Sequence, residues 1–286
     1  MPIYSVITAV GPQADDWLAE CGESLAQQKL PAGWRLQWML WTDGKEPSER
    51  TQRVADQTER ASVAVRLGAT GLHQGPAVAR NLALYNSAGK LARQLDADDA
   101  LVGPTDIEQD ISHMLAHPDH VFRASRTVNV YPDGERMLWG QPGPDGQPVP
   151  GTEVPIAGEL RQGWVADQLL DDDGVVNIHC GAVCFRTLAA RACGGWLGIW
   201  PNEDTGLLLR LSEAGPGWYD PDHVSHLYRF WDGASTSDFY ADELDSDTRM
   251  IQSWAAVANL IHTSRMQPGW RWEPSMADWE PEEGTQ

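Results

Sequence analysis

Basic residues, cysteines and long apolar runs are all scarce in this sequence of 286 residues. Lysine and arginine total 21 against 41 aspartates and glutamates, which gives a formal net charge of −20. Such a chain repels nucleic acid and anionic lipid, because both carry the same sign of charge. An anionic ligand would need a local cation to receive it, such as a bound metal ion, an arginine or a helix N-terminus.

The low cysteine count argues against a disulfide framework or a zinc site. The sequence has four cysteines, and none of them has paired CxxC spacing. His179 together with three of them has the residue types of a zinc site, but the segment has the pattern of an apolar strand. We therefore expect free thiols at all four positions, namely Cys21, Cys180, Cys184 and Cys193.

No apolar stretch approaches the ~20 residues that cross a bilayer, and the chain opens on a strand-like run instead of a leader peptide. These absences predict a cytoplasmic protein without an integral membrane segment. The apolar fraction of 42% and the charged fraction of 22% are those of a folded chain. The length permits one large domain or two smaller ones, and an oligomer is compatible with it.

Strand-like and helical segments alternate through the first 115 residues. Apolar runs at 3–10, 36–41, 61–67 and 91–95 predict strands, and helical patterns follow each of them. Short connections between such elements predict right-handed βαβ units, so we expect an α/β fold with a mostly parallel, Rossmann-like sheet flanked by helices. Ligands of such sheets bind beyond the carboxyl ends of the strands.

The second half of the sequence is less regular. Strands are predicted at 122–131 and 175–185, and helices at 158–170, 203–212 and within 239–263. The segment 131–155 is rich in proline and glycine, which predicts a loop or a hairpin tip.

An acidic cluster, Asp96-Ala97-Asp98-Asp99, follows the fourth predicted strand. On an extended segment the side chains of residues i and i+2 point the same way. Asp96 and Asp98 would then approach one Mn²⁺ or Mg²⁺ ion, because both ions prefer oxygen ligands. The alternative is a solvated acidic turn.

Two further residues are predicted at the same edge of the sheet. Arg80 lies in a helix that begins near Gly75, and it would pair with phosphate or with the acidic cluster. Asp43 ends the second strand, where it would accept a hydrogen bond from a base edge such as the imide of uracil. For Arg80 the alternative is a structural ion pair, and for Asp43 it is a turn residue before Gly44.

Asp204 and His226 are the candidate groups from the second half. Asp204 lies in the first turn of a helix with Asn202 as the predicted N-cap, where it would act as a general base on an acceptor hydroxyl. Acidic residues are also favoured there by the helix dipole alone. His226 would be a third metal ligand or would contact a diphosphate, although a lone histidine is more often structural.

Taken together, these features resemble the inverting family 2 glycosyltransferases of the GT-A fold. The resemblance is good over residues 1–115 and fair to about 236, and one departure is Thr42, where an acidic residue often precedes the aspartate. It rests on segments 5–10, 38–44, 75–81, 95–99, on Asn202-Glu203-Asp204 with Arg210, and on Tyr228-Arg229.

The resemblance implies transfer of a sugar from a nucleotide diphosphate, UDP in first place, to an acceptor hydroxyl with inversion and with Mn²⁺ or Mg²⁺ as cofactor. Asp204 would be the base, and Asp96, Asp98 and His226 the metal ligands. Residues 1–115 would bind the donor, 116–236 would bind the acceptor and carry catalysis, and 237–286 would form a C-terminal helix and a Trp-rich tail. The donor-binding residues would be Thr8, Val10, Asp43, Arg80, Asp96, Ala97 and Asp98.

Two other functions remain open. A nucleotidyltransferase that makes a nucleotide-sugar also uses an α/β sheet and acidic metal ligands, but it usually has a glycine- and lysine-rich loop after the first strand. The corresponding segment here, residues 10–16, is acidic. A non-catalytic protein that keeps the fold would bind the nucleotide-sugar without turnover.

Overall fold

The computed structural model describes residues 1–11, 17–140, 154–171, 176–199, 201–231, 243–266 and 269–278. Within these ranges the chain folds around one mixed sheet of ten strands. By residue range, the strands lie in the order 64–69, 35–42, 3–10, 91–94, 183–186, 122–130, 217–229 and 100–101, with 136–138 beside 122–130 and 158–160 beside 217–229. The predicted α/β fold class, with a mostly parallel sheet flanked by helices, is confirmed.

The first half follows the predicted alternation closely. Its elements are β1 (Ile3–Val10), α1 (Leu18–Ala26), β2 (Arg35–Thr42), α2 (Glu49–Arg60), β3 (Ala64–Ala69), α3 (Pro76–Asn86), β4 (Leu91–Gln94), β5 (Ala100–Leu101) and α4 (Asp106–Ala116).

The second half contains most of the antiparallel pairing. Its elements are β6 (Phe122–Val130), β7 (Arg136–Leu138), β8 (Gly158–Leu160), α5 (Trp164–Asp171), β9 (Val183–Arg186), α6 (Thr187–Ala192), α7 (Glu203–Ala214), β10 (Gly217–Arg229) and α8 (Glu243–Met266). Short 3-10 helices lie at Cys180–Ala182 and Pro274–Asp278.

Both faces of the sheet are buried. On β1 the side chains of Tyr4 and Val6 enter one apolar cluster, and that of Ile7 enters the other. A strand covered on both faces reads as a continuous apolar run, which is why β1 was recognisable from the sequence. The first cluster packs beneath α1, α2 and α4, and the second lies beneath α3 and α5 to α7.

Strand direction places the acidic cluster at the carboxyl end of the parallel strands, which we call one edge of the sheet. β1 pairs in parallel with β2 and with β4, so the segments that follow all three strands meet at the same edge. β10 pairs in parallel with β6 and antiparallel with β5, and His226 lies opposite Leu101 in that pairing. The end of β10 therefore lies beside residues 96–99.

Two predictions about elements are wrong, and the prediction of Asn202 as an N-cap is right for its position but not for its side chain. The helix predicted at 158–170 is a strand, β8, followed by the shorter helix α5. The strand predicted at 175–185 is only β9, preceded by a 3-10 turn. Asn202 has a left-handed backbone with φ of 73° and makes no side-chain cap. Its amide instead donates to Ser253 Oγ of α8 at 2.8 Å. The segment 131–155 includes β7, and its residues 141–153 lie outside the described ranges.

Candidate functional site

The acidic cluster is a turn and not an extended segment. The Asp99 N–H donates to the Asp96 carbonyl at 3.0 Å, which closes the turn over Ala97 and Asp98. The side chains of Asp96 and Asp98 consequently have different partners. The i, i+2 geometry that we expected from a strand is wrong here, because the sheet pairing of β4 ends at Gln94.

Arg80 links this turn to helix α7. Its guanidinium donates to Asp96 Oδ1 at 2.6 Å and to Glu203 Oε1 at 2.7 Å. Burial would lower the pKa of Arg80, but Asp96 and Glu203 outweigh it and hold that pKa above its ordinary value. In Asp96 burial is likewise outweighed, here by Arg80, so the pKa of that carboxyl is lowered. Arg80 thus pairs with carboxylates in this structure, one of the two partners the sequence predicted.

Asp98 and Asp99 contact the end of β10 and the residues that follow it. Asp98 Oδ2 accepts from Trp231 Nε1 at 2.8 Å, and Asp99 Oδ1 accepts from the Arg229 N–H at 3.0 Å. Burial, followed by repulsion from Asp99 and Asp96, raises the pKa of Asp98 to about 7. Burial and Asp96 also raise the pKa of Asp99. An added cation at this turn would relieve both effects.

His226 lies beside Asp99 and not beside the two predicted metal aspartates. Its side chain is fully buried, and Nε2 lies 3.0 Å from Asp99 Oδ2. Burial and the nearby Arg93 lower the pKa of His226 to about 3, so the ring is neutral. Among the described residues, ligand-type atoms of three His, Cys, Asp or Glu side chains lie within 4.8 Å of one another at His117, Asp119 and His120. Asp96, Asp98 and His226 do not form such a group.

Asp204 lies at the start of α7, next to Glu203, and is partly exposed. Its Oδ1 accepts from the Thr205 N–H at 2.7 Å, as expected in the first turn of a helix. Cys180 and Gln94 line the small cavity beside it. Through Arg80 and Glu203, the candidate base and the acidic turn belong to one network of charges.

Asp43 holds the loop that leads into α3. Its carboxylate accepts from the N–H groups of Gln74 at 2.8 Å and Gly75 at 2.9 Å, and His73 Nδ1 lies 2.8 Å from it. Gly75 has φ of 91°, a left-handed conformation that suits glycine and turns the chain into the helix. The carboxylate oxygens that we expected to face a base edge are therefore occupied by this loop.

The remaining predicted donor residues are buried, Thr8 and Val10 in β1 and Ala97 in the turn after β4. The Thr8 hydroxyl donates to the Leu95 carbonyl at 2.7 Å and accepts from Trp38 Nε1 at 2.9 Å. Val10 and Ala97 are each 2% exposed. These residues shape the base of the site, and their direct contact with a donor stays a prediction.

The residues present at the turn suit a hard divalent cation. The Asp98 carboxylate has no arginine or lysine partner in the hydrogen bonds and ion pairs of the described residues, where Arg229 donates only to the Asp98 main-chain carbonyl. No side-chain cation therefore offsets the burial that raises the pKa of this carboxyl. Carboxylate oxygens are the ligands that Mg²⁺ and Mn²⁺ prefer.

The four cysteines are free thiols, and in the described ranges they form no zinc-type cluster with His179. No helix in the described part is both long and apolar enough to cross a bilayer.

Several residues of this site were not among the sequence candidates. Glu203 and Asp99 were each adjacent to a predicted residue, and their place in the acidic segments 202–204 and 96–99 was the signal that the sequence offered. His179, whose ring centroid lies 4.6 Å from that of His226, was considered only as a member of a zinc site, and Trp231 had no signal in the sequence pattern. Long-range packing alone brings these two side chains to the turn.

No family model matches the sequence, and no curated protein matches it. Solved structures match it at the level of the fold. TarS 1-349 from S. aureus has a TM-score of 0.55 at 14% identity, over 80% of this chain and 60% of that one. TarS 1-349 in complex with UDP-GlcNAc has a TM-score of 0.65 at 14% identity, over 97% of this chain and 70% of that one.

A second similar protein is the mannosyltransferase PcManGT from Pyrobaculum calidifontis, in complex with GDP-Man and Mn²⁺. Its TM-score is 0.56 at 13% identity, over 96% of this chain and 66% of that one. The chain spans about three fifths of the first TarS structure. At such low identity the likeness concerns architecture: this chain has a GT-A type fold, the fold of these glycosyltransferases.

Proposed function

We propose that this protein is an inverting glycosyltransferase that transfers a sugar from a nucleoside diphosphate donor to an acceptor hydroxyl. UDP is the nucleotide that we propose first. One observation carries the proposal. Arg80 joins Asp96, in the turn after β4, to Glu203, beside Asp204 at the start of α7, through contacts of 2.6 and 2.7 Å. A donor-binding turn and a candidate base are thereby held at one edge of a GT-A sheet.

In this proposal Asp204 removes the proton from the acceptor hydroxyl as that oxygen attacks the anomeric carbon. Arg80 positions Asp96 and the start of α7 and does not itself need to contact the donor. Asp43 and Thr8 hold the loop and the strand ends that form the base of the donor site. Asp98 would bind Mn²⁺ or Mg²⁺, with Asp96 as a second ligand although its Oδ1 already accepts from Arg80, and the ion would supply positive charge for the diphosphate leaving group.

His226 is better assigned a positioning role than a ligand role. Its ring is fully buried, and Nε2 already shares a hydrogen bond with Asp99. To become a ligand of a metal ion at Asp98, His226 would have to give up that hydrogen bond. The divisions at residues 115 and 236 remain part of the proposal, with the donor bound by the first segment. One sheet runs through both of the first two segments.

The test is a panel of UDP- and GDP-sugars incubated with Mn²⁺, with hydrolysis and transfer followed by nucleotide release. We expect turnover with at least one donor, and we expect Asp204→Asn to lower kcat by about 10²–10⁴-fold, the usual contribution of general base catalysis. Asp222→Asn, an exposed aspartate of β10, is the matched control and should retain full activity.

The outcomes separate the alternatives. Binding of UDP-sugar without turnover would favour the non-catalytic binding protein, and formation of nucleotide-sugar from a sugar phosphate and a nucleoside triphosphate would favour the nucleotidyltransferase. Unchanged turnover in Asp204→Asn would remove Asp204 from the mechanism. The anomeric configuration of the product, read by NMR, tests inversion directly.

A further inference from the structure

A cluster of histidines lies at the opposite edge of the sheet from the candidate active site. His117, Asp119 and His120 lie in the connection from α4 to β6, at the start of β6. β4 and β6 both pair antiparallel with β9, so they run parallel to each other, and the start of β6 lies far from the end of β4. The proposed sugar transfer uses none of these residues.

The ligand-type atoms of this cluster face one another. One atom from each of His117, Asp119 and His120 lies within 4.8 Å of the other two. His120 Nε2 lies 3.9 Å from Asp119 Oδ2 and 3.9 Å from Glu159 Oε2 of β8. These separations are too long for hydrogen bonds. Two ligands of one zinc ion at ~2.1 Å lie about 3.4 Å apart in a tetrahedral site and about 4.2 Å apart on opposite sides.

The second ring nitrogen of His120 is already used. His120 Nδ1 and His113 Nε2 lie 2.9 Å apart, which is a hydrogen bond between neutral rings. Metal-binding histidines almost always have such a bond on the nitrogen that faces away from the metal, because it fixes the tautomer and the ring orientation. When His120 Nδ1 donates this bond, the lone pair of Nε2 points toward the two carboxylates.

The backbone of this connection is held firmly by residues from other elements. Arg186 donates to the carbonyls of His117 at 2.9 Å and of His120 at 2.7 Å. Trp272 Nε1 donates to the carbonyl of Pro118 at 2.8 Å. The side chains of His117 and His120 are stacked, with centroids 4.8 Å apart, so the partly exposed His117 ring would rotate to bring its in-plane lone pair to an ion held by His120. The backbone of the cluster is set before any ligand arrives, which lowers the entropic cost of binding.

From these contacts we propose that His117, Asp119 and His120 bind one transition-metal ion, Zn²⁺ in first place, with Glu159 as a fourth ligand. Two imidazoles and one or two carboxylates form a ligand set that suits Zn²⁺ better than Mg²⁺ or Ca²⁺. Asp119 is 54% and Glu159 60% exposed, so solvent reaches the site and the ion exchanges with bulk. The ion joins the α4–β6 connection to β8 and stabilises the fold at that edge.

The test uses the full chain without an affinity tag, stripped with EDTA and then dialysed. Titration with ZnCl₂ is followed by calorimetry and by the melting temperature. We expect one Zn²⁺ per chain at the histidine cluster, beside any Zn²⁺ held at the acidic turn, and a melting temperature that rises with Zn²⁺ concentration, as mass action requires. His117→Gln and His120→Gln should each weaken binding at least tenfold. His117→Gln, at a partly exposed position, serves as the variant that leaves the fold intact, as checked by circular dichroism.

Two control variants make the result decisive. His262→Gln, an exposed histidine on α8, should keep the Zn²⁺ affinity of the wild type, and Asp98→Asn, at the other end of the strands, should keep the Zn²⁺ bound by the histidine cluster. Unchanged affinity in both cluster variants would overturn the proposal, and so would loss of binding in Asp98→Asn alone. Absence of Zn²⁺ binding to the wild type at millimolar concentration would also overturn it. Loss of Zn²⁺ binding in the two cluster variants has no bearing on sugar transfer.

Discussion

At the scale of single residues, Arg80 matters most for this site. It is 6% exposed, and it is the cation between Asp96 and Glu203. The sequence identified Arg80 by its position in a helix facing the acidic cluster, and identified both candidate partners, phosphate and carboxylate. It could not decide between them, because Glu203 lies 123 positions away and only the fold brings it to the guanidinium.

Arg80→Met should destabilise the protein by about 3–5 kcal/mol, because it leaves two carboxylates in the buried site without their cation. Urea denaturation measures the loss. Adding Glu203→Gln to Arg80→Met should recover part of it, since one of the two unpaired charges is then removed.

The matched control is Arg53→Met, which removes the exposed ion pair of Arg53 with Glu49. Such a surface pair contributes about 0–1 kcal/mol. Equal losses from the two arginine variants would contradict the central role of Arg80 in this network.

At the scale of elements, the apolar strands of the first half were predictable and the shape of the acidic turn was not. β1 and β2 are buried on both faces, so their sequences are continuous apolar runs that predict strands directly. The helix predicted at 158–170 failed because β8 consists of only three residues, Gly158–Leu160, which gain their pairing from β10. The turn at residues 96–99 is fixed by partners on α3 and β10, which no local pattern reveals.

The 3-10 helix Cys180–Ala182 packs directly against the imidazole ring of His226. A Cβ built on Gly181 would lie 2.4 Å from His226 Nε2, at the contact that His226 makes with Asp99. Gly181→Ala should therefore destabilise the protein by about 1–3 kcal/mol, as overpacking does, and disturb the acidic turn.

Gly198→Ala is the control for this prediction, because its Cβ would meet nothing within 4 Å. Thermal unfolding compares the two variants. A Gly181→Ala protein as stable as Gly198→Ala would mean that His226 is free to move aside.

At the scale of the whole molecule, a strongly acidic chain concentrates carboxylates at one edge of its sheet. The net charge of −20 predicted that an anionic ligand would need a local cation. Arg80 and Arg229 supply positive charge at this end of the strands, where they pair with Asp96 and Glu20. Asp98 has no cationic side chain as a partner among the ion pairs of the described residues. This imbalance is the physical reason for proposing a divalent cation there.

The contribution of His226 to stability in EDTA should fall as the pH decreases from neutral, whereas Asp98 and Glu203, whose pKa values burial raises to about 7, contribute in the opposite direction. His226 is surrounded by Arg93, His179 and Asp99, and its pKa of about 3 lies below that of an unfolded histidine. Below about pH 6.5 the unfolded chain therefore binds a proton that the folded protein does not, and the free energy of unfolding decreases by up to about 1.4 kcal/mol per pH unit for each such histidine.

Urea denaturation at pH 7 and pH 5 measures this slope. His226→Gln should reduce it, and His262→Gln, at an exposed position, should leave it unchanged. A slope that is equal in all three proteins would exclude His226 as a buried neutral histidine.

The most direct measurement is the binding of UDP by calorimetry, with Mn²⁺ and then with EDTA, in the wild type and in Asp98→Asn. The proposal predicts binding to the wild type that weakens at least tenfold in EDTA, and an Asp98→Asn protein whose weaker affinity no longer responds to Mn²⁺. Equal UDP affinity with and without the metal, unchanged by Asp98→Asn, would contradict a cation at the acidic turn and with it the proposed donor site.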